Sequence, residues 1–212
     1  MSRWASGFGP GSPSSNRRFA LLPSHIPCSR SILRPWRPED RASLIRHADD
    51  RAVWRNLRRL PHPYDGAAAD AWLGFAAADP PPEGIWAIEV DGEAVGTISL
   101  ERGPDVEAHS FEVGYWLGRR HWGRGIVSEA LAAVTAAGLA EPDVVRIHAP
   151  VFSWNPASMH VLEKAGYRRE AVLVRSGVKD GEVFDRVVYA LTRDTGLPYH
   201  PYDPRAPVGA GG

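Results

Sequence analysis

The chain has 212 residues, 43% of them apolar and 24% charged, with a formal net charge of zero. It is long enough for one well-buried domain, too short for two of ordinary size, and lacks the bulk charge that would hold a nucleic acid or a membrane surface. The single cysteine, Cys28, excludes an internal disulfide framework and a cysteine-rich zinc module and fits a reducing, cytoplasmic compartment, and no run approaches the ~20 apolar residues of a membrane-spanning helix.

Residues 1 to 38 carry Arg3, Arg17, Arg18, Arg30, Arg34 and Arg37 and no acid. Residues 1–30, rich in Ser, Gly and Pro, read as a disordered basic leader or an over-long start, with an organelle transit peptide as the alternative. A single folded domain is expected over 31–195, followed by a disordered Pro/Gly tail over 196–212.

Within the domain the apolar period changes repeatedly. Ser31 to Arg34 is a short strand, and Pro38, Glu39 and Asp40 open a helix through His47. A second helix is expected near Val53 to Arg59 and a third over Ala67 to Ala78, stopped by Pro80, Pro81 and Pro82. Asp91-Gly92 joins Ile85 to Val90 with Ala94 to Leu100 as an antiparallel hairpin. Phe111 to Leu117 is a further strand, and Ile126 to Leu139 an amphipathic helix. Val144 to Val151 reads as a buried strand. Asn155 caps a helix begun by Pro156 and ended at Gly166, before a last hairpin of Tyr167 to Ser176 with Val183 to Leu191. The fold class is α/β, with helices interrupting a mostly antiparallel mixed sheet.

The sharpest local signal is Arg119-Arg120-His121-Trp122-Gly123-Arg124-Gly125, where a strand hands over to a helix. Two glycines let the backbone approach a ligand, the helix start offers free N–H groups, and Arg119, Arg120 and Arg124 add positive charge, which together suit a pyrophosphate. Gly123-x-Gly125-x-x-Ser128 also partly imitates a dinucleotide fingerprint, but that fold needs an acid at the end of the next strand, and Val151-Phe152-Ser153 has none. None of the eight histidines has another three or four residues away, and no Gly-x-Ser-x-Gly occurs, so zinc-pair and nucleophile-elbow chemistry are set aside and no metal is expected.

These residues resemble the GNAT superfamily of acetyl-CoA-dependent N-acetyltransferases, in particular the branch of ribosomal-protein N-terminal acetyltransferases. Arg120-x-x-Gly123-x-Gly125, inside the longer Phe111 to Leu117 and Trp122 to Leu131 block, carries the resemblance. So do Asn155-Pro156-Ala157-Ser158 with Val161 to Tyr167, and more weakly Leu33-Arg34-Pro35, Glu39-Asp40, Pro63-Tyr64, Asp185 and Tyr189 to Thr192. It implies a GNAT-type sheet splayed between its central strands, with the pantetheine arm of acetyl-CoA in the gap, paired to the backbone of Tyr115, Trp116 and Leu117. Arg119, Arg120, Trp122, Gly123, Arg124, Gly125 and Ile126 would hold the pyrophosphate, Asn155 would position the thioester, and Ser158 would lie beside the sulfur.

Many members place a tyrosine acid seven residues after that asparagine, but Leu162 stands here, so Ser158 is the substitute proton donor, unless it only bonds the backbone of its own first turn. The resemblance implies Glu112, which stands where that branch has a glutamate, as the leading general base, with Glu83 and His109 in reserve and a solvated carboxylate as its bland alternative. Trp116 and Trp122 either wall the acceptor pocket or pack in the core. The acceptor implied is an amine, foremost a ribosomal-protein or peptide N-terminus, helped by acidic Asp65, Asp70, Glu83 and Glu112. A small-molecule amine, or a non-catalytic acyl-CoA-binding module, is the alternative. The protein is expected to be a monomer or homodimer.

Overall fold

The computed structural model describes residues 22–76, 78, 84–196 and 198–201. In chain order the elements are β1 (Ile26–Pro27), β2 (Ile32–Arg34), α1 (Arg41–Ala48), α2 (Arg51–Trp54), α3 (Gly66–Ala76), β3 (Ile85–Val90), β4 (Glu93–Arg102) and β5 (Ser110–Leu117). There follow α4 (Ile126–Ala140), β6 (Arg146–Phe152), α5 (Pro156–Lys164), β7 (Arg168–Lys179) and β8 (Glu182–Thr192). The strands form one eight-stranded sheet ordered β1-β2-β3-β4-β5-β6-β8-β7. Every neighbouring pair is antiparallel except β5 and β6, which run parallel because α4 carries the chain back between them.

The expected hairpin forms between β3 and β4, and Asp91 (φ 51°) and Gly92 (φ 82°) make its two-residue turn. Three expectations need adjusting. Ile26–Pro27 pairs with β2, so the sheet begins upstream of Ser31. The second helix is only Arg51–Trp54, because Asp50 caps it at Ala52 N–H and the Asn56 side chain bonds back to the Ala52 carbonyl. β6 starts at Arg146 rather than Val144, although Val144 is fully buried. Pro80, Pro81, Pro82 and Glu83 lie outside the described residues.

Alternation along β5 sorts its side chains between two cores. Phe111, Val113 and Leu117 join Ile126, Leu131, Val134 and Ile147 on the α4 face, whereas Trp116 packs with Trp36, Leu44, Tyr64 and Leu73 beneath α1 and α3. Glu112 shares the parity of Trp116 and so faces the α1–α3 side.

A buried ion pair fixes where that layer starts. Arg34, 2% exposed, donates to both oxygens of Asp40 at 2.7 and 2.8 Å and also pairs with Glu89. Asp40 accepts the Arg37 N–H at 2.8 Å as well. β2 is thereby tied to the first turn of α1, and the satisfied hydrogen bonds offset the cost of burying the charge.

Candidate active site

β5 and β6 pair only over Ser110 with Arg146, Phe111 with Ile147 and Glu112 with His148. Beyond that seam the strands part, while β4 stays paired with β5 as far as Leu117. The sheet therefore opens into a fork whose vertex is Glu112 and His148. Gly118 N–H donates to Val95 on β4, so the Leu117 carbonyl on the same peptide points the other way, into the fork. By strand alternation the N–H and C=O groups of Val113, Tyr115 and Leu117 face the gap, and those of Trp116 face β4. The Trp122 indole N–H takes the Leu117 carbonyl at 2.6 Å, pinning the following loop to the strand end. Trp122 is thus a brace, although its side chain stays half-exposed.

The loop ends in a cradle. Gly123 and Gly125 have φ of 72° and 77°, a left-handed conformation that side-chain-bearing residues adopt at a cost of about 1–2 kcal/mol. Gly125 is the N-cap of α4 and no side chain caps the helix there. A Cβ at Gly123 would meet nothing within 4 Å, and one at Gly125 only the Arg30 guanidinium at 3.9 Å. Open space in front of uncapped amides at the positive end of a fifteen-residue helix suits a diphosphate. Arg120 and Arg124 are exposed beside it, Arg124 lying 3.5 Å from His121 Nδ1, whereas Arg119 turns away to pair with Asp50 at 3.1 Å. Ile126 is buried, so its contribution to the cradle is its backbone N–H. The arrangement fits an acyl-CoA donor on both counts, an unpaired strand edge for an amide-bearing arm and an uncapped helix start for its phosphates.

Two sites flank the fork. On the α5 side Asn155 accepts the Ser158 N–H at 3.2 Å, which leaves its amide N–H groups for a ligand. Ser158 Oγ lies 2.9 Å from the Tyr115 hydroxyl, so a phenol from β5 meets the serine, while Leu162 is fully buried. Burial pushes the Tyr115 phenol up to about 12, so it stays protonated across the neutral range. On the α1–α3 side Glu112 Oε1 accepts from Arg58 Nη2 at 2.9 Å, and Oε2 lies 3.8 Å from His148 Nε2.

Among the described residues, two of the acids expected around an ammonium group have partners of their own. Asp65 caps α3 at Ala68 N–H, Asp70 pairs with Arg41 on an exposed surface, and Glu83 is outside the described residues. His109 Nδ1 lies 2.8 Å from the Asp143 carbonyl at the opposite end of β5 from the cradle. Trp116 packs in the core beneath α1 and α3. Of these groups only Glu112 stands at the vertex. Sequence reasoning also missed Arg58, His148, Arg30 and the hydroxyl of Tyr115. Each meets its partner through pairing of distant segments, for which no local signal exists.

A family profile described as "Acetyltransferase (GNAT) domain" matches residues 30–168. The chain is 33% identical over 122 residues to an uncharacterized N-acetyltransferase, YoaA of Bacillus subtilis, a match spanning 56% of this chain and 68% of that one. Its fold matches Mycobacterium smegmatis RimJ in complex with CoA-disulfide, with TM-score 0.66, 28% identity and coverage of 84% of this chain and 90% of that chain. It also matches RimL, a ribosomal L7/L12 α-N-protein acetyltransferase in complex with coenzyme A, with TM-score 0.69 over 81% of this chain and 99% of that one, at 19% identity. The chain belongs to the GNAT acetyltransferases. It is an acetyl-CoA-dependent N-acetyltransferase. Among the described residues no helix is long and apolar enough to cross a membrane.

Proposed function

We propose that the protein acetylates the α-amine of a protein or peptide N-terminus, with the donor's thioester at the vertex of the fork. The observation that carries this reading is the seam itself, which ends at Glu112 and leaves the gap-facing backbone of Tyr115 without a β6 partner, on the residue whose hydroxyl meets Ser158. Acetyl-CoA supplies an activated acyl carbon. Glu112 takes the proton the ammonium must lose, directly or through one water, once the incoming ammonium displaces Arg58. That displacement is cheap, since a half-exposed ion pair is worth no more than about 1 kcal/mol. The gap-facing N–H of Tyr115 meets the charge that develops on the carbonyl oxygen. Ser158, held by Tyr115, returns a proton to the departing sulfur.

An α-amine suits this base. Its ordinary pKa is near ~8, so a carboxylate shared with an arginine suffices, whereas a lysine-type amine near ~10.4 is harder to neutralise. The likeness to RimL is one of fold, which does not by itself fix the acceptor. The test is thiol release from acetyl-CoA in the presence of short peptides with free Ala or Ser termini, in competition with polyamines and aminoglycosides at equal concentration. Peptide acetylation is expected to dominate, and preferential acetylation of the small amines would overturn the acceptor assignment.

Ser158→Ala is expected to lower kcat about 100-fold with acetyl-CoA affinity little changed, and Tyr115→Phe to lower it less, because Tyr115 only orients the donor. Steady-state kinetics with calorimetry separates the two quantities, and a wild-type kcat in Ser158→Ala would remove Ser158 from the mechanism.

A further inference from the structure

The β1–β2 hairpin brings one residue of the basic N-terminal region to the cradle. Its turn is closed by the Cys28 N–H donating to the Ser31 carbonyl at 2.9 Å, which leaves Arg30 near the tip. From there Arg30 reaches α4, 99 residues further along the chain. Its backbone N–H donates to Glu129 Oε2 at 3.0 Å, its guanidinium pairs with Glu129 Oε1, and the guanidinium carbon and one of its nitrogens lie 3.9 Å from where a Cβ on Gly125 would stand. Yet 57% of the Arg30 side chain is exposed, so most of its five donors are not spent on Glu129.

We infer that Arg30 is a ligand of the donor's diphosphate, delivered by the β1–β2 hairpin, and that Glu129 holds it in readiness and competes for it. This rests on the donor site proposed above and adds a residue to it. A guanidinium beside a helix start offers parallel N–H donors to two phosphate oxygens, and the dianionic diphosphate outcompetes one carboxylate that the backbone N–H of Arg30 continues to hold. The two contacts of Glu129 also explain how so short a hairpin keeps its place. The backbone bond anchors the turn, and the side-chain pair parks the charge.

The alternative is a fastener, in which Arg30 serves only to tie the hairpin to α4. The two roles predict opposite behaviour at Glu129. Calorimetric titration of the full chain with acetyl-CoA, with 3′-dephospho-CoA and with S-acetylpantetheine, which lacks the diphosphate, separates them. Arg30→Ala is expected to weaken acetyl-CoA and dephospho-CoA by the same factor, about tenfold or more, and to leave S-acetylpantetheine unchanged. Glu129→Gln, which frees the guanidinium and keeps an oxygen for the backbone bond, is expected to tighten acetyl-CoA a few-fold. Equal acetyl-CoA affinity in Arg30→Ala and wild type would overturn the assignment. So would equal weakening in both variants, or a loss in Arg30→Ala that extends to S-acetylpantetheine. A wild-type chain that binds none of the three would instead overturn the donor site, and this residue with it.

Discussion

Gly125→Val is expected to cost at least a hundredfold in acetyl-CoA affinity while the chain remains folded. Gly125 sits at φ 77° as the N-cap of α4, and a β-branched residue there is strained by about 1–2 kcal/mol wherever it points. The turn can relieve that strain only by rotating the amides of Ile126 and its successors away from the cradle. If it does not rotate, the isopropyl group occupies the open space in front of those amides. Either route removes two or more charge-assisted hydrogen bonds, each worth about 1.5–3 kcal/mol, and every 1.4 kcal/mol is tenfold. Calorimetry gives the affinity and thermal melting the fold. Gly125→Ala, which carries the strain without the bulk, should fall between. Unchanged affinity in a folded valine variant would remove the glycine turn from the donor site.

Turnover, by contrast, should depend on Glu112 and hardly on the cradle. Glu112→Gln is expected to lower kcat by about 100-fold or more below pH ~8, where an α-amine is mostly protonated and needs a base, and to approach wild type above it, where the free amine predominates. Acetyl-CoA affinity should stay close to wild type, because Glu112 is at the vertex and the cradle lies past the far end of β5. The pH profile of kcat at saturating acetyl-CoA checks this. A variant with the wild-type rate and profile would assign the proton to another group, and His148, 3.8 Å from the same carboxylate, is the first to try.

What the amino-acid order disclosed was local. Asp91-Gly92 announces its hairpin, Asn155-Pro156 its capped helix, and the glycine turn its place between β5 and α4, because turn and cap chemistry are decided within a few residues. The fork itself was available only through family likeness, since no periodicity states that two strands part after Glu112. Partners brought together by topology stayed hidden. Arg58 and Glu112 are 54 residues apart, and Tyr115 and Ser158 are 43 apart. Ile26–Pro27 was missed for another reason. A two-residue strand has no measurable alternation, and its neighbours have the Ser, Pro and Arg content of a loop.

The seam between β5 and β6 also bears on how the molecule holds together. Ser110, Phe111 and Glu112 supply the whole ladder joining β1–β5 to β6–β8, so the sheet is two plates on a short seam, with α4 packed against both. On the proposed reading the donor lies where the missing rungs would be and is bonded on the β5 side like an added strand. It is then a structural part as well as a reagent. A ligand bound only by the native state stabilises it in proportion to the logarithm of its concentration. The enzyme is then most cohesive when charged with acetyl-CoA and loosest just after product leaves.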